Sequence, residues 1–216
     1  MAMEHKSIAV CFALPEEAGP FQKQSGETPV FFTGIGKANA EKAIREYLKD
    51  HAPALLLTCG FAGGLDPRLN IGDVIFETAN GKGGKDDAVQ AKLTAAGAKP
   101  AKFFCADRIA STVAEKKKLR EETGAEAVEM ESGAIQAVCR ERGISCATVR
   151  GISDTAGEDL PLDFNEFLTP DKKLDMSKLM MSVAMKPWKM GALMELQKKT
   201  KIAAERLGEV LAKIIE

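Results

Sequence analysis

Histidine is scarce in this 216-residue chain, which carries two: His5 near its beginning and His51 in the segment KDHAP. A Ser-His-Asp triad or a histidine-rich metal site needs more imidazoles than that. Carboxylates must therefore do the proton work of any enzyme built from this sequence. Paired cysteines are lacking too. The five (Cys11, Cys59, Cys105, Cys139, Cys146) are odd in number, show no C-x-x-C spacing, and mostly lie in or beside apolar runs. Thiols in such places behave as small hydrophobes, so the expectation is a reducing cytoplasm and no disulfide framework. No stretch approaches the ~20 apolar residues of a membrane span. The opening MAMEHKSIAVCFALPEE has too short an apolar run for a signal peptide. A strong charge of one sign is also missing. The net charge of −1 argues against a nucleic-acid partner. The one basic run, Lys116-Lys117-Lys118, sits among Glu115, Glu121 and Glu122 and reads as a solvated helix face.

What is present is ordinary globular composition, 45% hydrophobic and 28% charged, in a length that suits one domain over 1–216. Apolar runs rich in β-branched and aromatic residues recur at 7–13, 29–33, 54–59, 73–78, 102–106 and 145–151. Several are continuous, the mark of strands buried on both faces. Helical patterns at 37–50, 86–96, 111–122 and 131–142 lie between them. This alternation predicts an α/β layered domain with a largely parallel or mixed sheet, whose ligands bind beyond the carboxyl ends of the strands. ANGKGGKDD (79–87) reads as a mobile loop. The segment 175–216 is helical and rich in methionine at its start, with the only tryptophan beside Pro187. Packing in the core or at a subunit interface is the expected use of those methionines, with an apolar ligand as the alternative.

Five motifs bear on chemistry. TGIGKANAEKA (33–43) is read as a tight strand–helix turn, because it lacks the third small residue of a dinucleotide fingerprint and the long loop of a phosphate-binding one. CGFAGGLDPRLNIGDVI (59–75) suits either close approach of backbone to a ligand or a structural turn. ALPEEAGPF places Glu16 and Glu17 at a helix start behind Pro15. In RGISDTAGEDLPLDFNEFL (150–168), Arg150 and Asp154 bracket the end of a buried strand. AVEMESGAI (127–135) sets Glu129 and Glu131 around Met130, with Ser132, Gly133 and Ala134 leaving space beside a carboxylate. Helix capping accounts for one of those glutamates but not for both.

Taken in order, ALPEEA, GIGKANA, CGFAGGLDPRLNIGDVI, VEMES, RGISD and DFNEFL resemble the purine nucleoside phosphorylase superfamily, and within it the methylthioadenosine/adenosylhomocysteine nucleosidase branch. ADRIASTVAEKKKLREETGAEAVEMES and KPWKMGALMEL look similar to the hopanoid-associated branch, linked to removing adenine from adenosylhopane. The resemblance implies a three-layer α/β/α sandwich with a mixed, twisted sheet, a homodimer, and no metal or organic cofactor. It also implies roles. Glu17 matches the residue that activates water, and Glu131 the carboxylate that accepts from ribose hydroxyls while Met130 packs on the sugar. Asp154, beside Ser153, matches the acid at N7 of the purine. Phe164 falls at the 5′-substituent pocket. Phe61, Ala62 and Gly63 fall along the substrate pocket, with Phe61 where the family typically has serine. Ile109 stands nearest to the family's base-stacking aromatic.

These residue types suit cleavage of a ribosyl–adenine bond. The sugar becomes oxocarbenium-like and the base leaves as a poor anion, so one carboxyl must protonate or hydrogen-bond the base. A second can orient water, as in glycoside hydrolysis. A third, ionised, can bind ribose hydroxyls and offset the positive charge. The sequence thus predicts hydrolysis of an adenine nucleoside with a 5′ substituent, water and nucleoside being its small-molecule partners. Phosphorolysis is the rival, since phosphate could replace water. A nucleoside-binding protein without activity is the second.

Overall fold

The computed structural model describes residues 8–78 and 85–215, so His5 and the 79–84 part of the expected loop lie outside the described residues. The apolar runs form strands β1 (Ile8–Phe12), β2 (Val30–Phe32), β3 (Leu55–Gly64), β4 (Val74–Thr78), β6 (Phe103–Cys105) and β8 (Ser145–Asp154). Two short strands complete the set: β5 (Lys99–Pro100) and β7 (Ala127–Glu129). The main path runs β2-β1-β3-β8-β4-β5, parallel except where β4 meets β8. The sheet is therefore mixed. β7 pairs antiparallel with the far end of β3 and in parallel with β6.

Side chains alternate across this sheet with the period of two that strands impose. Ala9 and Cys11 of β1 face one way, with Leu56 and Cys146, against helices α2 (Lys37–Asp50) and α5 (Ser132–Arg142). Val10 and Phe12 face the other way, with Leu57, Cys59, Ala147 and Val149. That face is covered by α1 (Pro15–Gln22), α3 (Lys85–Ala96) and the second half of α7 (Met190–Ile215). Helix, sheet and helix give three layers. Gly151 lets α7 lie directly on β8, since a Cβ there would stand 2.8 Å from the Ala203 carbonyl oxygen.

β3 and β8 outrun the apolar segments that predicted them, and this positions the site. β3 continues through Gly60–Gly64, where a turn was the alternative, with an irregularity of pairing at Ala62/Gly63. β8 continues to Asp154, so Arg150 sits inside the strand and not at its end. α4 (Val113–Thr123) is capped by Thr112, whose side chain accepts from the Glu115 N–H, and is closed by left-handed Gly124. The tail corrects a second expectation. α6 (Met176–Met185) buries no residue, and burial in α7 begins only at Ala203. Its methionines are not core.

Candidate active site

Glu17 reaches the sheet from the first turn of α1. Pro15 opens that helix because its fixed φ suits the first helical position. Glu17 then accepts from the Leu14 N–H at 2.9 Å, capping the helix, and from the Phe61 N–H at 3.0 Å. Gly60 makes the second contact possible. Its φ of +149° is glycine territory, and a Cβ there would meet Glu17 Oε1 at 2.7 Å. Burial raises the Glu17 pKa, against the Leu14 N–H, Arg150 and the Phe61 N–H.

The two glutamates of AVEMESGAI divide their work. Glu129 ends β7 and caps α5: it accepts from the Glu131 N–H (3.0 Å), the Ser132 N–H (2.7 Å) and the Ser132 hydroxyl (2.7 Å). Arg150, itself fully enclosed in β8, donates to Glu129 through Nη2 at 2.8 Å. Burial would raise the Glu129 pKa, but Arg150 and the Ser132 and Glu131 donors bring it below the ordinary value. With the cap already filled, Glu131 turns to the cleft. It accepts at 2.8 Å from the N–H of Gly36, the left-handed residue that caps α2. The glycine turn at 33–36 thus presents a helix N-terminus to the protein's own carboxylate. Burial pushes the Glu131 pKa up to about 7, with Glu129 adding and Arg150, 3.7 Å away, opposing.

Asp154 closes β8 on the other side of the cleft. The Ser153 hydroxyl donates to its Oδ2 at 2.9 Å, and the Lys116 ammonium pairs with its Oδ1. Here the expected solvated face is corrected. Lys117 and Lys118 are exposed, but Lys116 is completely buried and also donates to the carbonyls of Thr155 (2.7 Å) and Glu158 (3.0 Å). Two carbonyl hydrogen bonds and one ion pair offset the cost of burying the ammonium. Gly63 gives Asp154 room, since a Cβ there would lie 3.1 Å from Oδ1.

Glu17, Glu131 and Asp154 line one cleft of about 240 Å³. Met130, Ser153, Phe61, Ala62, Gly63, Ile109 and Phe164 line it too, so the structure brings together every site residue the sequence suggested. Asn165 donates to the Ile109 carbonyl and accepts from its N–H, each at 2.9 Å, which fixes the backbone and leaves the side chain to the cleft. Phe164 opens a 3-10 turn (Phe164–Phe167) and packs edge-on against Phe167. Sequence reasoning missed Ile35, Arg108, Leu160 and Leu196, which also line the cleft. Ile35 could have been found, because it sits inside the glycine turn. Leu196 of α7 ends KPWKMGALMEL, and the apolar-ligand alternative for that segment was its only signal. His51 is not among the lining residues; it stacks on Tyr47 at the end of α2, ring centroids 4.3 Å apart.

Comparisons with known proteins point the same way. A 5'-methylthioadenosine/S-adenosylhomocysteine nucleosidase from Shewanella halifaxensis is 29% identical over 77% of this chain and 84% of its own length. An aminodeoxyfutalosine nucleosidase from Campylobacter jejuni is 26% identical over 68% of this chain and 76% of its own. Among solved structures, the 5'-methylthioadenosine/S-adenosylhomocysteine nucleosidase of Neisseria meningitidis superposes with a TM-score of 0.70 at 19% identity, covering 97% of this chain and 98% of that one. The futalosine hydrolase of Helicobacter pylori gives 0.67 at 18%, over 97% and 99%. The profile of the Phosphorylase superfamily matches residues 21–87 and 85–216, and the chain belongs to that family.

Proposed function

We propose that this protein is a nucleosidase that hydrolyses the N-glycosidic bond of an adenine nucleoside carrying a 5′ substituent. One observation carries the reading: three carboxylates from distant parts of the chain, Glu17, Glu131 and Asp154, converge on one cleft. Glu131 accepts hydrogen bonds from the ribose hydroxyls, and Met130 covers the sugar's apolar face. As the bond to the base breaks, the ionised Glu131 offsets the charge on the oxocarbenium-like sugar. Asp154, held by Ser153 and Lys116, protonates or hydrogen-bonds N7 of the base. Glu17 orients a water and takes its proton as the oxygen bonds to C1 of the sugar. Free base and a reducing sugar result.

Electrostatics favours water over phosphate. The Glu17 and Glu131 carboxylates would repel a phosphate near the sugar. Of the buried cations among the described residues, Arg150 pairs with Glu129 and Lys116 with Asp154. An active nucleosidase also explains the burial of all three carboxylates better than a binding protein would. The reading includes a single domain over the whole chain, a homodimer and a cytoplasmic location, the last supported by the free thiols of all five cysteines. The nucleosidases among the relatives and the softer likeness to the hopanoid-associated branch leave methylthioadenosine-like and long-alkyl substituents as the series to compare.

The test is adenine release from 5′-methylthioadenosine, adenosylhomocysteine and long-alkyl adenosine derivatives, with and without phosphate. Release independent of phosphate is expected. Strict dependence on phosphate would replace hydrolysis by phosphorolysis.

A further inference from the structure

The C-terminal helices invert the usual distribution of side chains. Ten large hydrophobic residues are exposed among the described residues, and seven of them fall between Met176 and Met194. Met176 and Met180 lie one turn apart on α6, as do Met181 and Met185, so each pair shares a helix face. Met190 and Met194 repeat that spacing on α7. Trp188, in the 3-10 turn (Pro187–Lys189) between the helices, is 74% exposed. A protein surface rarely carries so many large apolar side chains within one short segment without a partner.

The polar residues interleaved with this face identify the partner's chemistry. From Lys172 to Met194 there are five lysines against one acid, Asp175, a local charge of +4 in a chain whose total is −1; Lys198, Lys199 and Lys201, farther along α7, pair with Glu195, Glu158 and Glu205. Asp175 is used as the N-cap of α6. Lys178 and Lys189 donate to the carbonyls of Glu166 and Pro161, which leaves their charge uncancelled. The ammonium groups of Lys173 and Lys186 make no ion pair among the described residues. Two copies brought together through this face would oppose four positive charges with four more. An anionic bilayer surface meets both features at once, taking methionine and tryptophan at the headgroup boundary and lysine at its phosphates.

We infer that the face formed by α6, the 3-10 turn and the start of α7 docks on anionic membrane surfaces. No described helix is long and apolar enough to cross a membrane, so the contact is peripheral. It borders the cleft: Leu196 lines the cavity, Lys189 ties the 3-10 turn to Pro161, and Lys199 ties α7 to Glu158 of the loop after β8. Docking does not depend on the chemistry of the cleft, and vesicle binding is measured without substrate.

The chain's single tryptophan supplies the probe. Emission of Trp188 is measured with the intact protein on titration with phosphatidylglycerol-containing vesicles, with pure phosphatidylcholine vesicles, and with no vesicles. Sedimentation with the same vesicles gives bound fractions. A blue shift with the anionic vesicles, absent with the zwitterionic ones and reversed by high salt, is expected. Each of Lys178→Glu and Lys186→Glu should weaken sedimentation by roughly fivefold or more. The double variant Met181→Glu/Met185→Glu should abolish it while adenine release from a soluble nucleoside is unchanged. No shift with anionic vesicles at low salt would overturn the proposal. So would a blue shift that grows with protein concentration alone and disappears in the double variant, because the face would then join two copies.

Discussion

The cleft buries its charges while the tail exposes its hydrophobic residues. In the cleft Glu17, Glu129, Glu131, Arg150, Asp154 and Lys116 are all withdrawn from water. Each is held by named donors, acceptors or ions. In the tail, α6 buries nothing at all. Both regions depart from the ordinary partition of residues, yet by different routes. A buried charge survives only if its partners are built around it, so the cleft draws on β3, β7, β8 and three helices at once. An exposed methionine needs nothing inside the chain and points outward to what covers it. The first region is specified by long-range contacts, and the second by local composition.

The largest effect should come from removing one buried carboxylate's chemistry while keeping its shape. Glu17→Gln and Asp154→Asn should each lower turnover by roughly 10²–10⁴-fold, read by adenine release, while nucleoside binding stays detectable. Activity equal to wild type in either variant would remove its assigned role. Lys116→Met comes next. It strands Asp154 and two carbonyls without their donor, so denaturant melts should show a loss of roughly 3–5 kcal/mol. A loss no greater than that from Lys117→Met would mean the buried ion pair is of no consequence.

Glu131→Gln should act with the opposite sign on stability. Its folded pKa, pushed to about 7, lies above the unfolded value of ~4.3. Folding therefore loses stability as pH rises through that interval, and the neutral amide escapes the loss. The variant should gain roughly 1–3 kcal/mol at pH 8 and little at pH 4, while losing turnover. A variant less stable than wild type at pH 8 would contradict burial as the cause. The smallest effect belongs to the tail. Met181→Ser should change stability by no more than about 0.5 kcal/mol, since nothing packs on an exposed side chain.

The contrast also explains what could be read before the structure. Continuous apolar runs announced β1, β3, β4 and β8 because two-sided burial is written locally, in residue type alone. The path of β3 beyond Cys59 was not legible. Glycines serve a turn or a strand equally, and here the choice is set by Glu17, 44 residues away, needing the Phe61 N–H. Lys116 was hidden inside a run of three identical residues, and Asp154 with the carbonyls of Thr155 and Glu158 distinguishes it. Glu131 was separable from Glu129 through the likeness of VEMES to the nucleosidase motif. The reason for the separation, Arg150 holding Glu129 to the helix cap, appears only when β8 and β7 are in place.

The claim that these carboxylates direct water at a nucleoside is tested most directly with oxygen-labelled solvent. The protein is given an adenine nucleoside in H2¹⁸O with phosphate present, and the sugar product is analysed by mass spectrometry. Free sugar carrying one heavy oxygen at C1 is expected, formed far more slowly by Glu17→Gln. An unlabelled sugar 1-phosphate would contradict that claim.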